Sequence, residues 1–195
     1  MGEGRVERES SDEELMTEYA SEQSAAAFSE LYRRYESRLY GFFLRRLSPE
    51  LRTAAPDLFQ KTWLKVHRAR GQFDRNQKFA PWLFSVALNT LRDEWRVPRI
   101  VRQIGDELDD PPDLKTGANS DDAEQRFDLK QDMARLENAL LKIPEIQREA
   151  LILAEWEGFT SRELATTLGI SEAAARQTVS RARKKVRLLM KEGQN

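Results

Sequence analysis

Residues 158 to 187, GFTSRELATTLGISEAAARQTVSRARKKVR, leave little choice of local structure. Ser161 is placed to cap a short helix whose inner face is Leu164, Ala165 and Leu168, and Gly169 supplies the left-handed residue that stops it. Ser171 caps a second helix, in which Ala175, Val179 and Ala182 recur at helical spacing. The product is a helix-turn-helix. The remaining surface of the second helix carries Arg176, Gln177, Ser180, Arg181, Arg183 and Lys184. Arginine bonds guanine, glutamine bonds adenine, serine bonds either, and the later cations reach phosphate, so this face suits a major groove. A hairpin with merely solvated charges needs no such agreement of caps, glycine turn and one-sided basic face.

The formal net charge is only -1, which at first argues against a nucleic-acid binder. Its distribution reverses that impression. Cations collect at 61 to 78 and 176 to 191, acids at the N-terminus and at 106 to 124. The chain has no cysteine and a single histidine, His67, which removes disulfides, thiol chemistry and the usual zinc sites. No cofactor is expected. No Ser-His-Asp order, phosphate loop or metal spacing appears, so an enzyme is not expected either. No apolar run approaches the ~20 residues that span a bilayer, and the first residues lack the apolar core of a secretion signal, which points to the cytoplasm.

The 195 residues divide into two all-helical halves. Residues 1 to 11 are polar and expected to be disordered. Ser11 to Glu14 opens a first short helix bearing Leu15, Met16 and Tyr19. From Ser24 the stripe Phe28, Leu31, Tyr35, Leu39, Phe42 and Leu47 follows a helix that Ser48-Pro49 ends. A further helix runs from about Pro56 to Arg70. There Leu58, Phe59, Thr62, Trp63 and Val66 cover more circumference than one core face needs: the helix either has a second, partner-facing surface or is simply well buried. Gly71 to Lys78 is a polar loop before a helix from Phe79 to Trp95. Around it Phe73, Phe79 and Trp82 lie beside Arg75, Asn76 and Lys78. Aromatics beside cations and amides suit unstacked bases, and equally well they are core plugs.

Residues 99 to 124, broken by Pro111-Pro112 and Gly117 and rich in aspartate, form a flexible acidic linker between the expected domains 12 to 98 and 125 to 190. Helicity resumes near Ala123, and Leu129, Met133, Leu136 and Leu140 mark that helix. Ile146, Ala150, Leu153 and Ala154 mark another, from Glu145 to Glu157.

In this order the pieces resemble the extracytoplasmic-function (ECF) sigma factors, the compact group of the sigma-70 family that keeps only regions 2 and 4. AFSELYRRYESRLYGFFLRRL at 27 to 47 is similar to region 2.1, PDLFQKTWLKVHRAR at 56 to 70 to region 2.2, FAPWLFSVALNTLRDEWR at 79 to 96 to regions 2.3 and 2.4, and residues 143 to 186 to region 4. The resemblance implies a non-enzymatic protein that binds core RNA polymerase, directs it to promoters, helps melt DNA and is controlled by an anti-sigma factor. It implies core-polymerase contacts at Asp57, Leu58, Gln60, Lys61, Trp63 and Leu64. Capture of single-stranded minus-10 DNA falls to Phe73, Arg75, Asn76, Lys78, Phe79 and Trp82, with Asn89 and Arg92 nearby. The minus-35 element is read by Arg176, Gln177, Ser180 and Arg181, with Arg183 and Lys184 beside them.

Two departures stand out. Lys61 occupies a position where the family usually carries an acid, and Gln177 and Thr178 stand where serine and arginine are common, which implies an unusual minus-35 preference. A helix-turn-helix regulator of operator type is the other reading of the second half; it leaves the aromatic-basic loop and the 56 to 70 motif unexplained.

Overall fold

The computed structural model describes residues 10 to 96 and 123 to 192, with side chains over 10 to 94 and 131 to 192. The acidic stretch expected as a linker falls almost wholly outside the described residues. Eight α-helices are present among them: α1 (Asp12–Glu22), α2 (Ala25–Arg46), α3 (Ala55–Ala69), α4 (Phe79–Arg96), α5 (Ala123–Leu141), α6 (Glu145–Glu155), α7 (Ser161–Leu168) and α8 (Glu172–Glu192). None is long and apolar enough to cross a membrane.

The expected boundaries shift at two places. Ser11, assigned to the disordered N-terminus, is the N-cap of α1: its hydroxyl accepts from the Glu14 amide at 3.2 Å, while the Glu14 carboxylate accepts from the Ser11 amide at 2.8 Å. This reciprocal capping box orders the chain as soon as the acidic run begins. Helix α5 starts at Ala123, where helicity is expected to resume. Helix α6 stops at Glu155, two residues early, because Gly158 is left-handed at φ 69° and the Phe159 amide turns back to donate to the Leu153 carbonyl at 3.1 Å.

The first four helices bury the predicted stripe. Leu31, Leu39, Phe42 and Phe43 of α2 are fully enclosed, together with Met16, Leu58, Val66, Phe84 and Leu88. Tyr35 is buried as well, and its hydroxyl donates to the Asp12 carboxylate. Burial and the neighbouring carboxylate push the Tyr35 phenol well above its ordinary range. In the second bundle Ala175, Val179, Ala182 and Val186 of α8 are buried, with α5, α6 and α7 packed around that helix.

One core cluster spans both bundles, and a second, with Leu140, Leu151, Ala182 and Val186, lies within the second bundle. Ala150, Ile152, Leu153, Phe159, Leu164 and Leu168 belong to the same continuous cluster as Leu83, Phe84 and Leu88. Helix α7 packs on α4 and α6 on α2. At the seam the Thr167 hydroxyl donates to the Pro81 carbonyl at 3.3 Å.

Candidate nucleic-acid interface

The helix-turn-helix is set by local chemistry. Its first cap is Thr160, one residue earlier than the expected Ser161. Thr160 accepts from the Glu163 amide at 3.3 Å and its own amide donates to the Glu163 carboxylate at 2.8 Å. Threonine wins because only it has glutamate three residues on, which completes the box. Gly169 holds φ 68°, and the Ile170 amide closes the turn on the Ala165 carbonyl at 3.1 Å. Ser171 then accepts from the Ala174 amide at 3.2 Å and starts α8.

With Ala175, Val179 and Ala182 inward, Arg176, Gln177, Ser180, Arg181, Arg183 and Lys184 are all exposed. They do not form one cluster. Arg176, Ser180, Arg183 and Lys184 line an open groove of about 570 Å³ against α7, while Arg181 lies on the neighbouring side of α8 near Pro144 and Gln147. Arg187 and Ser161 complete the groove and were missed in the sequence reading. For Arg187 the signal was present, four residues beyond Arg183 on the same face. Arg176 is steadied by Glu172 at 2.5 Å and Arg183 by Glu155 at 2.6 Å. Both pairs are exposed and give way readily to a phosphate or base.

In the first bundle the loop before α4 is held by its own polar groups. Asp74 accepts from the amide and the side chain of Asn76 at 2.9 and 3.0 Å. The first amide of α4, that of Phe79, donates to the Glu13 carboxylate of α1 at 2.9 Å. Arg75, Asn76, Lys78 and Asn89 are exposed, and Phe73 and Trp82 are half-buried with ring centroids 5.3 Å apart. Phe79 is different. It is fully buried, 5.1 Å from the Tyr35 ring, so it is a core plug and not a stacking platform in this arrangement. Arg92 also departs from expectation: it donates to Glu149 of the second bundle at 3.2 Å.

Helix α3 resolves the two readings of its wide apolar face. Leu58, Phe59, Thr62, Trp63 and Val66 all turn inward. Trp63 packs between Phe28 and Tyr32, with centroids at 5.5 and 5.3 Å. Leu58 and Trp63 are therefore core residues, which corrects their assignment to a partner surface. The outer face carries Asp57, Gln60 and Leu64, the last 54% exposed. Lys61 lies between Asp57 at 2.6 Å and Glu94 at 2.8 Å, and these carboxylates, Asp57 first, hold its ammonium pKa above the usual lysine value. The lysine that departs from the family pattern thus ties α3 to α4.

A helix-turn-helix whose basic face stands free, joined to a second helical bundle with a polar aromatic loop, defines a helical DNA-binding regulator. Family models agree: "Sigma-70 region 2" matches residues 31–99 and "Sigma-70, region 4" matches 133–186. The RNA polymerase sigma factor CarQ of Myxococcus xanthus is 32% identical over 85% of this chain and 90% of its own length. The ECF RNA polymerase sigma factor RpoE of Cereibacter sphaeroides is 29% identical over 80% of this chain and 82% of its own. Among solved structures, CnrH in complex with the cytosolic domain of CnrY superposes with a TM-score of 0.69 at 26% identity, over 94% of this chain and 99% of that one. The chain belongs to the sigma-70 family, in its extracytoplasmic-function group. It is an RNA polymerase sigma factor that binds core polymerase and promoter DNA in transcription initiation.

Proposed function

We propose that the two bundles divide promoter recognition: residues 12 to 98 bind core polymerase and the melted minus-10 element, and residues 125 to 190 read the minus-35 duplex. The exposed face of α8 carries this reading, because six polar or cationic side chains stand outward from a buried Ala175, Val179 and Ala182 stripe. Gln177 reads adenine there, Arg176, Ser180 and Arg181 read their own bases, and Arg183 and Lys184 hold phosphate. In the first bundle Arg75, Asn76 and Lys78, with the half-exposed Phe73 and Trp82, take the unstacked strand. Asn89 flanks that surface. Asp57, Gln60 and Leu64 offer the outer face of α3 to core polymerase.

The protein catalyses nothing itself and works in the cytoplasm, where polymerase is. An anti-sigma factor restrains it; the similar protein CnrH has been solved in complex with the cytosolic domain of CnrY. The test is transcription from a library of duplex promoters by sigma-free core polymerase with and without the purified chain. Start-site-specific transcripts dependent on the chain, lost on Leu64→Asp, support the reading. Duplex binding by the chain alone with an idle polymerase supports an operator-binding regulator instead.

A further inference from the structure

Helix α1 is fixed to the first bundle by contacts of its own. Leu15, Met16 and Tyr19 are buried. Arg34 of α2 donates to the Ser10 carbonyl at 2.8 Å and to the Asp12 carboxylate at 2.7 Å, and Tyr35 donates to the other oxygen of Asp12. From that footing α1 reaches both ends of the loop that joins α3 to α4. At the α3 end the Tyr19 hydroxyl lies 2.5 Å from His67 Nδ1, and Arg70 donates back to the His67 carbonyl at 2.6 Å. At the α4 end the Glu13 carboxylate accepts from the Phe79 amide at 2.9 Å, across 66 positions of sequence.

The second of these contacts supplies what the loop lacks. A helix opens with amides that have no partner inside it, and a side-chain acceptor on the preceding residue ordinarily takes one. Lys78 precedes α4, and an ammonium group has donors only. The Asp74 carboxylate is already engaged by Asn76, and the Asp74 carbonyl by the Gln77 amide. Glu13 therefore caps α4 from a different helix, where its negative charge also suits the positive end of the helix dipole. Phe79 is held from two sides, its amide by Glu13 and its fully buried ring by the core. The exposed Arg75, Asn76 and Lys78 lie between this fixed point and the one at His67.

We propose that Glu13 and Tyr19 are positioning residues for minus-10 recognition: they fix the path of residues 70 to 79, so that Arg75, Asn76 and Lys78 meet the unstacked strand in one register beside Phe73 and Trp82. The inference rests on the assignment of that surface to the minus-10 element above. Phosphate contacts tolerate a displaced loop, whereas base contacts require it in place. A loop that spends part of its time out of register lowers the apparent affinity for the preferred base by the fraction of time lost. Binding that ignores sequence is left as it was.

The test assembles the full chain with sigma-free core polymerase and counts transcripts from duplex promoters varied one position at a time. Glu13→Ala should flatten the minus-10 preference about fivefold, the worth of one helix cap, and leave the minus-35 preference intact. Glu13→Gln keeps an acceptor oxygen and should restore most of the preference. Glu18→Ala removes the same charge from an exposed position of the same helix and should change nothing. Tyr19→Phe keeps the ring and its packing and should flatten the same minus-10 positions more weakly. In the free chain, hydrogen exchange over residues 74 to 80 should quicken in Glu13→Ala and recover in Glu13→Gln. A minus-10 preference that survives Glu13→Ala, a flattening shared equally by the minus-35 positions, or a glutamine variant as flat as the alanine one overturns the proposal. If the parent directs no specific transcript, the sigma reading fails and the minus-10 role falls with it, while exchange that still depends on Glu13 leaves the brace itself standing. Unchanged exchange overturns the brace whatever the transcripts show.

Discussion

Phe159, at the turn between α6 and α7, stands edge-on to Phe84 of α4, with ring centroids 5.5 Å apart and planes at 85°. Gly158 makes the contact possible, since its left-handed backbone turns the chain back over the core. The pair belongs to two different bundles and is buried by both.

Phe159→Ala is therefore expected to cost about 3 kcal/mol, from lost burial and the cavity left behind. It also uncouples the halves. Denaturant unfolding followed by tryptophan fluorescence should show one transition for the parent and two for the variant.

Thr160→Ala removes the hydroxyl half of the capping box on α7, the acceptor for the Glu163 amide, and leaves the residue 160 amide to donate to the Glu163 carboxylate. The loss should be about 1 kcal/mol, with duplex binding weakened through fraying of the turn and not through any lost base contact. Ser161→Ala, the neighbouring hydroxyl, should cost far less. Paired denaturation curves distinguish the two.

Glu149 carries a pH signature. Burial pushes its carboxyl above the usual glutamate value, more than Arg46 and Arg92 pull it down. A carboxyl raised in the native state binds its proton more tightly there than in the unfolded chain. Its contribution is fully present below the unfolded value and falls as pH rises through the ordinary glutamate range toward the raised value. The stability of the parent relative to Glu149→Gln should accordingly decline over that window. Glu30 acts the other way: hydrogen bonds from Arg33 and Arg34 lower it to about 2, so its contribution is lost only as pH falls toward that value.

Along α8 the expected effects differ in kind. Gln177→Ala should lose about 1 to 3 kcal/mol of discrimination at one minus-35 position while leaving other positions intact. Lys184→Ala should weaken all sequences alike and reduce the salt slope by roughly one. Binding titrations at several salt concentrations against a minus-35 variant set measure both.

On α3, Leu64→Asp should lower affinity for core polymerase with little change in stability, because its side chain is exposed. Trp63→Ala should cost about 3 to 5 kcal/mol of stability. Thermal melts beside polymerase pull-downs separate a lost contact from a lost fold.

Much of this was legible in the residues. Helical spacing marked the stripes of α2 and α8, and glycine and serine marked the helix-turn-helix, because period and capping act within a turn or two of chain. The cap slipped from Ser161 to Thr160 only because two hydroxyls compete and a glutamate three residues on decides between them. What periodicity alone left open was the partner of each face. Leu58, Trp63 and Phe79 sit on helices with more apolar circumference than a single interface needs, and packing alone turned them inward. The seam lay further from view: Arg38 and Glu157 are 119 positions apart, and nothing local to either names the other. Local rules made the helices and the DNA-reading face; the docking of one bundle on the other, and with it the occupation of Arg92, depends on complementary surfaces that exist only once both have folded.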